Sequence, residues 1–160
     1  MKLGLAIREL HRSEGGLAKD LVKLAERHAV EHEVHYVALD LARWSRDHVR
    51  ALASAGRAYD VQLSEEAPSS FGPMAALRTT VAELSGRRPE PGLLLLADLR
   101  RLHREVAGVS LDWELLAQGA QAVKDTDLLE VASRCHPQTL RQLKWTNAML
   151  KVLSPQVLAS

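Results

Sequence analysis

Apolar positions recur along this chain in alternating steps of three and four, the signature of helices with one buried face. The first rhythm is Leu3, Ile7, Leu10, Glu14, Leu17, Leu21, Leu24, His28. It resets to Val34, Val37, Leu41, Trp44, His48, Leu52, and the slip near Glu31 predicts a tight turn within residues 28–33. With no Gly or Pro there to enforce the turn, one unbroken helix through both segments is the alternative. A third seam runs Leu95, Leu99, Leu102, Val106, Trp113, Leu116, Ala120, and a fourth Leu128, Ala132, Cys135, Thr139, Leu143, Leu150, Leu153. Lys124-Asp125-Thr126 joins these two, with Asp125 or Thr126 as the N-cap. Pro137 should bend the fourth helix and Pro155 should stop it.

Gly56 and the polar stretch to Pro73 end the first pair of helices and begin a crossover, in which Met74 to Leu84 reads as a short extra helix. The expected helices are therefore residues 3–28, 33–56, 74–85, 92–123 and 126–153, packed as one all-α domain over residues 1–160. The two halves echo each other. Leu10-His11-Arg12 recurs as Leu102-His103-Arg104, and Ser45-Arg46-Asp47-His48 as Ser133-Arg134-Cys135-His136, as a decayed duplication of one hairpin would leave them.

Two short-linked hairpins, a long crossover and a polar residue partway along the first helix resemble the ferritin-like superfamily of antiparallel four-helix bundles. The likeness covers nearly the whole chain. It implies a carboxylate at Glu14 as the first-helix metal ligand of such bundles. Metal-binding members add Glu-x-x-His motifs, whose spacing puts carboxylate and imidazole on one inward face. Here that motif is missing. The residues three before the seven histidines are Arg8, Ala25, Ala29, His32, Ser45, Arg100 and Ser133, so serine stands at the carboxylate position in both halves. A neutral hydroxyl is a poor bridge between two cations. The third-helix counterpart of Glu14 is Val106, with Glu105 beside it.

Glu14 and His48 are equidistant from Glu31, so folding the hairpin there sets them side by side. Both interrupt apolar seams, as does His136 on the fourth helix, which should face the same interior. Glu14, His48 and His136, with Glu105 as an optional fourth, are thus the candidate metal ligands; the simpler reading makes Glu14 the hydrogen-bond partner of His48 or of an arginine. His28, Glu31, His32 and His35 cluster at the hairpin tip, where a solvated turn is expected. Cys135 should be a small buried thiol, not a nucleophile based on His136, because neighbours on a helix point about 100° apart. Trp44, Trp113 and Trp145 read as packing residues.

Charge narrows the partners. Lys and Arg number 21 against 20 acidic residues, for a net +1, without the one-sided basic stripe expected of a nucleic-acid or membrane binder. The longest apolar run, Leu93 to Ala97, is too short to span a bilayer. One cysteine fits a reducing cytoplasm. Phosphate-cradling glycine loops, nucleophile elbows and paired CxxC motifs are absent. The expectation is a non-catalytic binding or interaction protein with no cofactor and with an unknown protein partner or small ligand. The alternative is a metalloprotein holding iron, manganese or zinc in a histidine-rich centre for redox or oxygen chemistry. A homodimer is compatible with the pattern, with Met74, Leu77, Val81 and Leu84 as one candidate surface.

Overall fold

The computed structural model describes residues 2–68 and 90–160. Four long helices carry the fold: α1 (Leu3–Arg27), α2 (His32–Gly56), α3 (Pro91–Ala122) and α4 (Thr126–Leu158). The turn near Glu31 forms, so the unbroken-helix alternative is not realised. The crossover helix expected at residues 74–85, and the dimer surface read on it, lie outside the described residues. Among the described residues no helix is long and apolar enough to cross a membrane.

Each helix lies antiparallel to its neighbours. α1 and α2 form one hairpin, α3 and α4 the other, and α1 packs against α3 while α2 touches α4 more sparingly. His28, just past the end of α1, meets Asp98 near the start of α3, and Leu3 meets Gly119 near the end of α3. The end of α2 and the start of α3 therefore lie at opposite ends of the bundle. The segment that follows α2 lies along α1: His11 Nε2 donates to Ser64 O (2.7 Å), and Pro68 covers Gly15, where a Cβ would lie 3.1 Å from Pro68 Cδ. A side chain at residue 15 would push that cover away from its neighbour Glu14.

The turns follow local chemistry. Lys124 takes a left-handed conformation (φ 60°), letting Asp125 N–H reach Ala120 O at 2.9 Å and close the end of α3. Asp125 is the N-cap of α4, accepting from Leu128 N–H at 3.0 Å, and the Tyr59 hydroxyl donates to its other oxygen. Pro91 opens α3, where its missing N–H costs nothing.

The apolar seams of α1 and α3 are buried much as expected, but those of α2 and α4 shift. On α2 the centre moves to small residues, Ala38, Ala42, Ser45, Val49 and Ala53, leaving Val37 and Trp44 half-buried. On α4 the interior continues from Thr139 through Gln142, Thr146 and Met149, while Leu143, Leu150 and Leu153 are only partly buried. Periodicity read on large apolar residues missed this because the buried residues are mostly small on α2 and polar on α4. The α4 helix runs on through Pro137, and Pro155 does not stop it. A proline removes only its own donor, and Ala159 N–H still reaches Pro155 O at 3.2 Å.

Candidate functional site

Glu14 sits between Leu10 and Leu17 on the buried stripe of α1, so helical period alone carries its carboxylate into the bundle. His48 arrives at the same level from α2. His48 Nδ1 donates to Glu14 Oε1 at 2.8 Å, and the indole Nε1 of Trp113, from α3, donates to the same oxygen at 2.7 Å. The other ring nitrogen, His48 Nε2, donates to Gln138 Oε1 of α4 at 2.7 Å. The Trp113 ring stands edge-on to the imidazole at 5.7 Å. Every helix thus supplies one side chain to a single junction, and Glu14, His48 and Trp113 are all but sealed from solvent.

The electrostatics follow from the contacts. Burial alone would lower the pKa of His48, but the hydrogen bond and charge of Glu14, then the Gln138 oxygen and Asp47, outweigh it and hold the ring above its ordinary 6.5. With both nitrogens set against oxygens, the protonated ring can donate at each, so the contacts favour an imidazolium beside a carboxylate. The pair is neutral as a whole, which makes its burial tolerable.

A polar seam continues the junction along α4. Gln142 Nε2 donates to Leu41 O (3.0 Å) and Ser45 Oγ (2.9 Å), and Thr146 accepts from His103 Nδ1 (2.8 Å) while donating to Leu143 O. Ser45, at the position where the bundle resemblance calls for a carboxylate, thus has its hydroxyl engaged by an amide. Among the described residues, Glu14 Oε2, Thr139 Oγ1, Gln142 Oε1 and Trp145 Nε1 are buried without a hydrogen-bond partner. Sequence reasoning passed over Trp113 as a donor and over Gln138 and Gln142 altogether. The available signal was the run Gln138, Thr139, Gln142, Thr146, polar residues at helical spacing.

The third candidate ligand goes elsewhere. His136 lies with Nε2 3.0 Å from Ser110 Oγ and Nδ1 3.8 Å from Glu114, at the α3–α4 margin. The expectation that it shares the interior of Glu14 and His48 is therefore corrected. Core register puts Cys135 inward, and the next residue points about 100° away. The Cys135 thiol is pushed up to about 11 by burial and is neutral. Glu105 hydrogen-bonds Asp20 across α1 and α3, and burial followed by that second carboxylate pushes it up to about 8. The histidines of the hairpin tip disperse as well. His28 is buried, not solvated, and donates to Asp98 Oδ2 at 2.8 Å, His35 Nδ1 donates to Ala25 O at 2.7 Å, and His32 is exposed. Asp98 also holds Arg27 and Arg101; burial would raise its carboxyl, but the His28 bond and these cations pull it down.

Among the described residues no three His, Cys, Asp or Glu side chains converge as a metal-holding group. One carboxylate already taken by an imidazolium and an indole, with hydroxyls and amides around it, does not match the donor set of a two-metal centre. What the junction can do chemically is hold one proton firmly between four helices.

No protein-family model, curated protein or solved structure matches the chain. What fold and site define is a class: an all-α four-helix protein organised around a buried carboxylate–imidazolium junction.

Proposed function

We propose that this chain is a ferritin-like bundle that serves as a non-catalytic binding or interaction protein of the cytoplasm. Two antiparallel hairpins joined from opposite ends of the bundle, with the first helix beside the third and the second beside the fourth, support the ferritin-like reading. The observation that carries the functional reading is the fate of Glu14. One oxygen of the carboxylate placed as first-helix metal ligand takes both His48 Nδ1 and Trp113 Nε1, which supports reading the interior as a clamp and the surface as the seat of function.

Elemental analysis of untagged protein tests this. Metal well below one equivalent, unchanged by Glu14→Ala, is the expected result. Stoichiometric iron, manganese or zinc that disappears in Glu14→Ala would overturn it and establish the metalloprotein built on Glu14 and His48.

A further inference from the structure

The α3 helix is apolar on two sides. Opposite its core seam lie Gly108, Leu111 and Leu115, the leucines 66% and 68% exposed. Leu140 of α4, 46% exposed, joins them, because it lies one turn beyond His136, whose ring meets Ser110 of α3. A surface helix ordinarily carries one apolar stripe, and grouped exposed leucines on a second one mark a contact surface.

Charge on this face is sorted end to end. The bonds His103–Thr146 (2.8 Å) and Ser110–His136 (3.0 Å) fix the register of the two helices. At one end this places exposed Arg100 and Arg104 of α3 with Arg141, Lys144 and Lys151 of α4. None of these five cations has a carboxylate within ion-pair distance among the described residues, and α4 has no acidic residue after Glu130. At the other end stand exposed Glu114 of α3 with Asp127 and Glu130 of α4. Exposed Arg134 and Lys124 also stand at that end and offset part of its negative charge, so the two ends differ in sign of excess and not only in degree of exposure. The leucines lie between. A near-zero net charge thus hides a dipolar face.

We propose that the α3–α4 face binds a second copy of this chain about a two-fold axis passing through the Leu111–Leu115–Leu140 patch. A two-fold reverses the ends, so the basic end of each copy meets the acidic end of the other while the leucines close on each other. A parallel pairing would set five cations against five. The surface is independent of the interior junction, so it stands whether or not Glu14 holds metal.

Sedimentation velocity of the full chain at micromolar concentration tests it. The expected mass is twice the 17.7 kDa protomer, with dissociation favoured by salt. The double variant Leu111→Arg, Leu115→Arg should be monomeric with unchanged helicity by circular dichroism. Glu114→Lys and Lys144→Glu should each weaken the dimer about tenfold, and the two together should restore it. Residues 114 and 144 lie about three turns apart along one hairpin, so that rescue reports contact between copies. A monomeric wild type, whether or not its basic end retains DNA, overturns the proposal. So does a dimer indifferent to the arginine substitutions, or a mass that climbs past the dimer with concentration.

Discussion

Replacing Glu14 by Gln changes little in size and removes one charge from the centre of the bundle. In the wild type its Oε1 receives two charge-assisted bonds, from His48 at 2.8 Å and Trp113 at 2.7 Å. Bonds to charged groups contribute about 1.5–3 kcal/mol and neutral ones nearer 1 kcal/mol, so the substitution should cost about 1–3 kcal/mol. Glu14→Ala strands a buried imidazolium and an indole donor, and should cost about 3–5 kcal/mol. The pH dependence is the sharper signature. His48 is held above 6.5 in the folded chain, so its contribution is complete below that value and is lost as pH rises through the folded pKa. One proton sets the slope at no more than about 1.4 kcal/mol per pH unit. Glu105, raised from 4.5 to about 8, destabilises with the same sign over that interval, so wild-type data alone mix the two. Urea unfolding across pH for wild type and Glu14→Gln cancels the Glu105 contribution in the difference curve. That difference should shrink at alkaline pH, while NMR titration shows the His48 pKa falling in the variant. A His48 that titrates at or below 6.5 in the wild type, or identically in both proteins, would refute the ion-pair reading.

Three further outcomes are expected. Asp98→Asn, which loses the bonds to His28, Arg27 and Arg101, should cost about 1–3 kcal/mol at neutral pH. Because the Asp98 carboxyl is held low, its contribution is present above about pH 4 and lost as pH falls through the folded value; acid unfolding of the variant should be correspondingly flatter. Lys124→Gly relieves a left-handed backbone at the end of α3 and should add about 0.5–1 kcal/mol in thermal or urea melts. Cys135, buried and with its thiol pushed up to about 11, should resist a thiol reagent at pH 8 in the native protein and titrate as one equivalent in guanidinium.

The parts of this molecule legible from sequence were those where the buried residues are apolar and local spacing decides. The α1 and α3 seams were of that kind, and so was the turn at Glu31, because a slip in hydrophobic phase marks it directly. The Glu14–His48 contact followed from equal spacing about that turn. Where partners come from other helices, the sequence was mute. Trp113 reads as filler until Glu14 Oε1 is found against its Nε1. Gln142 and Thr146 go unremarked until Leu41 O, Ser45 Oγ and His103 are found against them. His136 and Cys135 differ by one helical step, and only the register of the whole helix says which of them faces inward.

That division has a physical meaning for the bundle itself. The α1–α2, α3–α4 and α1–α3 contacts rest mainly on leucine, valine and alanine, with a few directed bonds among them, such as His103–Thr146 between α3 and α4 and Trp113–Glu14 between α1 and α3. The α2–α4 contact is sparser and leans most on directed bonds: Gln142 to Leu41 and Ser45, and Gln138 to His48. A slide of α4 along α2 by one turn would leave the buried Gln142 amide and one nitrogen of the imidazolium without acceptors. Apolar packing would suffer far less from the same slide, because a shift of one turn still presents apolar side chains to each other. Stability therefore resides in the hydrophobic seams and alignment in the polar one. The Glu14–His48–Trp113–Gln138 junction, the one place among the described residues where side chains of all four helices are linked by hydrogen bonds, holds the two hairpins in register.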